Sequence, residues 1–338
     1  MKRWQFWVGI LISLFFLYIA LRGLQLGEMW QSIRAANLLW IIPAIVVFFV
    51  GKFLRSVRWK FMLQSREKTT TPLLFLAIVI GYFGNNVFPA RAGDILRTIV
   101  LKNRAKVPIS ESLASIILER IFDGVVMLGF VLLNIGIFSK RSLDAQLTQY
   151  ITVSANIAAI VFAALFLFFL LIAFFPQFAL RIIRFVIQKT LPEKWREKVM
   201  EIAEQFFDGL LALSSPLMVL FLLVLSVVVW ANETVAYWFV MQAFAFEVQF
   251  VDLLLLCGVL NLITSIPSAP GYIGTFDAPG IAIMIALGLN PELAAGYILT
   301  LHAVLWLPVT IIGGYFFIKE GLQWTQNQSL QEIERENQ

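Results

Sequence analysis

Six ionisable residues in two short runs are the part of this chain that could do chemistry. The run N-N-V-F-P-A-R-A-G-D-I-L-R (85–97) carries Arg91, Asp94 and Arg97, and a later E-R-I-F-D (119–123) carries Glu119, Arg120 and Asp123. A spacing of three sets Arg91, Asp94 and Arg97 along one helix face, and a spacing of four sets Glu119 and Asp123 on another. The simplest arrangement pairs those carboxylates with Arg91 and Arg97. An arginine cluster compensated only in part suits reception of a phosphate, because the guanidinium is a fixed planar fork of donors. The structural alternative is that opposed charges on neighbouring helices only hold a bundle together. Three arginines beside a helix break, with Arg55 and Arg58 nearby, favour the binding reading. Arg58 and Asn85 are further candidates for a headgroup, although snorkelling to the inner headgroups accounts for Arg55 and Arg58 about as well.

Other chemistry is sparse. Cys257 is the single cysteine and His302 the single histidine, so a disulfide or a Cys-based metal site has no material. There is no H-E-x-x-H, P-loop or G-x-S-x-G, and no Ser/His/Asp set. No metal, nucleotide or other cofactor is expected. Asp277 reads either as a cap of the helix it opens or as a proton or cation carboxylate. A lone mid-span His302 reads first as a hydrogen-bonded packing residue, with a proton relay as the functional alternative. Glu233 is either a buried partner or interface lining.

The elements that must position these groups are membrane helices. Of 338 residues 60% are hydrophobic and only 14% charged, against roughly 25% charged in a soluble domain; the mean hydropathy is +0.84. A bilayer needs roughly 20 apolar residues per spanning helix, and the charges here stand in clusters between runs of that length. Full spans are expected at Trp4–Leu21 (read as a span rather than a signal peptide), Leu38–Phe61, Ser112–Phe138, Ile151–Phe175, Leu217–Met241 and Leu293–Ile318. Residues 177–213 alternate charge with apolar positions and read as amphipathic helices on the cytoplasmic face. Residues 1–320 form one transmembrane domain and 321–338 a polar tail. The net charge of +5 fits cytoplasmic loops and anionic headgroups better than nucleic acid, and its distribution puts both termini inside a plasma membrane.

Two regions are apolar but broken. Pro72–Phe88 and Arg91–Asn103 flank a break containing Pro89 and Gly93, with basic residues at both outer ends. Leu253–Ile266 and Thr275–Leu287 flank a second, containing Pro267, Pro270, Gly271 and Gly274. No Lys or Arg occurs between Phe244 and Ala294. The economical reading is two re-entrant hairpins, one from each face, as in an inverted repeat, though two full spans would give the same sidedness. Irregular backbone inside a bilayer is tolerated only where protein covers it or it lines a cavity, so the breaks predict a shared site. Half-helix N-termini there would present N–H groups to an anion. The fold class is thus all-α and polytopic: about six spans plus two broken hairpins.

The same segments, with R-S-V-R-W (55–59) and P-S-A-P-G-Y-I-G-T-F-D (267–277), resemble the flippase-like membrane domain of the lysylphosphatidylglycerol synthase family over residues 1–320. The resemblance implies lipid translocation. It also implies no lysyltransferase activity for this chain, since in fused members a separate soluble domain makes the aminoacylated lipid. A homodimer follows by analogy with those members only. The family usually reads P-G-G-x-G with a Glu near its end; here Tyr272 replaces the second Gly and Asp277 stands where the Glu is expected, which bears on the cargo more than on the fold.

The expectation is therefore a translocase for an anionic or aminoacylated phospholipid, or another lipid-linked phosphate. Arg91, Arg97 and Arg120 would hold the headgroup, with Asp94, Glu119, Asp123 and Asp277 as charge partners or coupling groups. The alternatives are an exporter of a small amphipathic solute, an intramembrane lipid-modifying transferase, and a partner subunit for a synthase or glycosyltransferase. On this reading Arg97→Ala should abolish translocation in liposomes while the protein still folds; normal lipid movement by that variant would sink the assignment.

Overall fold

A computed structural model describes residues 24–63, 66–88, 91–138, 176–190, 192–210, 215–265 and 270–321, with a few isolated positions besides. The expected spans Trp4–Leu21 and Ile151–Phe175, the tail from 322 on, and the break residues Pro89 and Pro267 lie outside these described residues, apart from those isolated positions. Among the described residues every regular element is helical. In chain order they are α1 (Leu26–Ala35), α2 (Ile41–Met62), α3 (Thr71–Val87), α4 (Ala92–Ala105), α5 (Ile109–Phe138), α6 (Pro176–Thr190), α7 (Glu193–Leu210), α8 (Pro216–Ala243), α9 (Phe250–Thr264), α10 (Asp277–Ala286) and α11 (Pro291–Lys319).

Length sorts them. With the turn at Leu38–Trp40, α2 makes a 25-residue rod, while α8 has 28 residues and α11 has 29. All three are apolar enough to cross a bilayer. The helix α5 has 30 residues, roughly 45 Å at 1.5 Å per residue, despite the charges in its middle. By contrast α3 has 17 residues, α4 14, α9 15 and α10 10. At the same rise these are only about 25, 21, 22 and 15 Å long, each short of the ~30 Å hydrocarbon layer. The broken regions are therefore hairpins of part-length helices.

The hairpins open on opposite faces. Helices α2 and α8 lie antiparallel: the Asn37 N–H donates to the Ala243 carbonyl (2.8 Å) at one end, Asn232 Nδ2 to the Val47 carbonyl (2.9 Å) in the middle, and Arg58 to Ser226 Oγ (2.7 Å) further along. The first hairpin follows the Met62 end of α2. The second follows the Ala243 end of α8, beside the start of α2. The last helix agrees: at its start Glu292 accepts from the Gln25 N–H near α1. Just past its end Glu320 accepts two hydrogen bonds from Arg104 (2.7 and 2.8 Å) at the exit of the first hairpin. That hydrogen-bonded guanidinium holds the Glu320 carboxyl below the ordinary glutamate range.

Each hairpin has its own apolar cluster. Trp59, Leu74, Ile78, Leu96, Leu101 and Phe122 surround the first, and Met127, Tyr237, Leu256, Ile281, Met284 and Ile298 the second. The amphipathic pair α6 and α7 is divided at Pro192 as the pattern predicts, and α7 packs against α5.

The first hairpin closes so tightly that one position admits only glycine. A Cβ on Gly93 would lie 1.8 Å from the Gly81 carbonyl oxygen and 2.7 Å from the Asn85 nitrogen, both backbone atoms that cannot swing aside. Gly93→Ala is expected to push α3 and α4 apart, at about 1–3 kcal/mol or more for overpacking. Thermal unfolding in detergent should show a lower midpoint than wild type, and an unchanged midpoint would mean the helices do not meet this closely.

Candidate functional site

Helix α2 places Lys52, Arg55, Ser56, Arg58 and Trp59 on faces that end up fully buried. The spacing of three brings the cations toward α5 on one side and α8 on the other. Lys52 Nζ lies 3.2 Å from Glu233, and Arg55 bridges Glu233 (3.2 Å) and Asp123 (3.3 Å). Arg58 meets Asp123 at 2.6 Å and Glu119 at 3.8 Å. Arg97 grips Glu119 with both terminal nitrogens (2.8 and 3.5 Å) and stands 3.8 Å from Asp94. Arg120 closes the series on Asp94 at 3.0 Å. The result is an alternating row, Lys52–Glu233–Arg55–Asp123–Arg58–Glu119–Arg97–Asp94–Arg120, drawn from α2, α4, α5 and α8.

Aromatic side chains support the row. Trp230 Nε1 donates to Asp123 (2.7 Å), and its ring lies under the Arg55 guanidinium at 4.0 Å. Trp59 lies under Arg97 at 4.1 Å and donates to Ser115 Oγ (2.8 Å). The Lys52 ammonium sits over Phe48 at 3.9 Å and Tyr82 at 4.1 Å. Cation–π contact of this kind strengthens where water is excluded.

Beside the row a cavity of about 330 Å³ occupies the junction of the two breaks. Arg91, Arg97 and Arg120 line it from the first side, and Tyr272, Phe276 and His302 from the second. Backbone also meets there: Arg91 Nη2 donates to the Thr264 carbonyl at the end of α9 (3.2 Å). Arg91 takes a left-handed backbone (φ +54), which for a side chain of its size costs about 1–2 kcal/mol and turns the chain from α3 into α4. Tyr272 is left-handed too (φ +57), the conformation a glycine adopts without cost. That accounts for glycine in the related pattern at this place, and here the position carries a ring into the cavity wall.

The sequence expectations divide on these contacts. Glu119 pairs with Arg97, whereas Asp123 takes neither Arg91 nor Arg97 and is held by Arg55 and Arg58. Arg91 does not take a carboxylate; among the described residues its partner is the Thr264 carbonyl, because its left-handed turn aims it across the breaks toward α9. Arg55 and Arg58 do not snorkel: both are buried and held by Asp123. Glu233 is a buried partner. Asn85 lines the cavity, but its side-chain oxygen accepts from the Gly93 N–H (2.9 Å), so it stitches the break closed. Asp277 accepts from the Gly274 N–H (2.8 Å) behind it and meets His302 Nδ1 at 2.8 Å. Lys52 joins the row without having stood among the sequence candidates; its spacing of three from Arg55, continued by Arg58, is the signal that points to it.

Charge and hydrogen bonding leave a remainder. Six cations, the five of the row and Arg91, face four carboxylates in it, an excess of two. Buried donors without an acceptor include Arg91 Nε, Arg120 Nε and Trp306 Nε1, all on residues of the cavity wall. Buried donors are nearly always satisfied. With Arg97 Nε there are four on the wall of one cavity, and together with the surplus positive charge they are hydrogen-bonding capacity of the kind an anion can take up.

Helices that span, two opposed broken hairpins and a buried charged cavity between them define a multi-pass membrane protein. Residues 6–313 match the lysylphosphatidylglycerol synthase TM region, and the chain belongs to that family. It is 28% identical over 90% of its length to Glycosyltransferase AglD of Haloferax volcanii, but spans only about half (53%) of that protein. It is also 22% identical to a UPF0104 membrane protein of Methanocaldococcus jannaschii, over 90% of this chain and 91% of the relative. For one of Methanothermobacter thermautotrophicus the identity is 23%, over 94% and 93%. No solved structure matches at a significant level.

Asp123 accepts from Arg55, Arg58 and Trp230 at once. Asp123→Ala is expected to lower stability by about 3–5 kcal/mol, the usual result of stranding a buried charge. A fall in unfolding midpoint and in folded yield would show it; a variant as stable as wild type would remove Asp123 from the centre of the row.

Proposed function

We propose that this chain is a lipid translocase that receives the phosphate of an anionic or aminoacylated phospholipid, or of another lipid-linked phosphate, and carries it between leaflets. One observation carries the reading: Arg91, Arg97, Arg120 and Trp306 wall a cavity beside a row with surplus positive charge, and a buried nitrogen of each lacks an acceptor. A phosphate supplies several acceptor oxygens and the missing negative charge together. The size agrees, since about 330 Å³ is near the lower end of the roughly 300–1,000 Å³ usual for small-molecule sites. A headgroup fits, and two acyl chains do not, so they stay in the bilayer. The hairpins, opening on opposite faces and meeting at this cavity, are the parts that would alternate access.

A second reading rests on the relative named Glycosyltransferase AglD, of which this chain matches about half. Under it the chain serves a glycosyltransferase as a partner, and its cargo is a lipid-linked sugar phosphate. The same cavity would hold the same phosphate, and the two readings differ in whether movement needs a second protein.

The geometry also moves the decisive substitution. Arg97 is tied to Glu119 and stacked on Trp59, so Arg97→Ala should disturb folding along with binding. Arg91 is only half-buried and gives one hydrogen bond to a carbonyl. Arg91→Ala should therefore keep an unfolding midpoint close to wild type. It should slow movement of headgroup-labelled phosphatidylglycerol or its lysyl form in liposomes about ten- to a hundred-fold, as expected for a charged hydrogen bond of about 1.5–3 kcal/mol. Equal rates in the variant, or movement just as fast of a labelled lipid that carries no phosphate, would refute the phosphate site. No movement of any lipid by folded wild-type protein would favour the partner reading.

A further inference from the structure

The single histidine stands between two oxygens. His302 Nδ1 lies 2.8 Å from Asp277 Oδ1, and Nε2 lies 2.8 Å from the Gly271 carbonyl oxygen. A carbonyl only accepts, and so does an ionised carboxylate. Asp277 Oδ2 is already accepting from the Gly274 N–H at 2.8 Å. A neutral imidazole has one N–H and cannot donate to both neighbours. Two arrangements satisfy the contacts: an imidazolium donating to both, or a neutral ring donating to Gly271 while a protonated Asp277 donates to Nδ1. In either, the pair is electrically neutral and holds one proton more than a carboxylate beside a neutral ring.

We propose that Asp277 and His302 form a proton-binding site whose occupancy docks the loop of the second hairpin onto α11, so that the proton is the ion coupled to movement of that hairpin. Removing the proton leaves two acceptors facing each other at 2.8 Å with the Asp277 side chain only 2% exposed. Such a contact is repulsive where water cannot screen it. The proton passes to water in the cavity, which His302 lines with 14% of its side chain exposed. The loop then keeps only one of its two hydrogen bonds to His302 and is loosened from α11, and the proton returns when the loop docks again.

The surroundings leave this pair to itself. Phe276 packs against the His302 ring at a tilt, with the centroids 4.7 Å apart. The elements packed around the loop carry Tyr272 in the loop itself, Glu292, Tyr297, Tyr315 and Lys319 on α11, Tyr82 on α3, Glu233 and Tyr237 on α8, and Asp252 and Cys257 on α9; of these Tyr272, Tyr82, Glu233 and Tyr237 line the cavity with His302. Across the cavity stand Arg91 and the alternating row, where every carboxylate is already held by lysine or arginine. Asp277 is the one carboxylate that His302 meets.

This inference extends the translocase reading by naming its coupled ion, but the proton site itself can be judged apart from transport. With one histidine in the chain, ¹⁵N-histidine labelling gives a single ring to observe. At neutral pH the wild-type ring should show Nε2 protonated and Nδ1 sharing a proton with Asp277, and Asp277→Asn should change the Nδ1 signal. A neutral ring indifferent to Asp277→Asn would overturn the site. In proteoliposomes with a one-unit pH gradient, which can bias an equilibrium about tenfold, wild-type movement of labelled phosphatidylglycerol should differ several-fold between the two polarities. In Asp277→Asn and His302→Gln that ratio should fall to about one, whatever the basal rate. Wild-type movement insensitive to polarity would refute the coupling. If no lipid moves at all, the translocase reading fails, and the ring spectrum still decides the proton site.

Discussion

The fold depends on the neutralisation of buried charge. A cation in the middle of a membrane bundle is costly by itself, and Arg55, Arg58 and Lys52 lie there together, wholly out of water. They are tolerable because Asp123 and Glu233 reach them from helices distant in sequence. That requirement fixes α5 and α8 against α2 in height and rotation at once, since a helix turned or slid by one residue would strand a charge. The hairpins hang on this frame: Glu119, one turn before Asp123, holds Arg97 and with it α4, while α9 packs on the later turns of α5. Apolar packing then fills each half, with the larger clusters one around each hairpin.

Within the row, position separates support from function. Charges whose every partner is another side chain of the row are part of the frame. Charges at its edge that also line the cavity are available to something else. Arg91 and Arg120 are of the second kind. Arg97 belongs to both, which is why its removal is a poor probe of either role.

The breaks are legible in the sequence because proline and glycine clustered within an apolar run rarely suit an unbroken helix. The charged motifs beside them are legible because carboxylates in a membrane helix are rare. Legibility fails where one residue can settle in two ways at similar energy. A lysine or arginine in the last turns of an apolar helix can snorkel or be paired; the spacing of three groups Lys52 with Arg55 and Arg58 but does not decide between the two, and the deciding residues are Asp123 and Glu233, far along the chain. Arg91 escapes the spacing rule for a backbone reason, because a left-handed turn leaves no mark on helical periodicity. His302 cannot be matched with Asp277 from sequence, since the pairing depends on how the second hairpin folds back along α11.

The short helices of the hairpins carry an electrical consequence. A membrane potential acts across whatever insulates one solution from the other. At the breaks the insulating layer is the length of a part-helix, about 15 Å along α10 and 21 Å along α4, and not the full hydrocarbon thickness. Wherever water reaches the cavity, the voltage falls over that shorter distance and the local field is correspondingly steeper. A unit charge crossing the whole potential changes in energy by about 2.3 kcal/mol per 100 mV. A charge shifted by a few ångströms at this junction senses a larger share of it than the same shift along α2 or α11 would give.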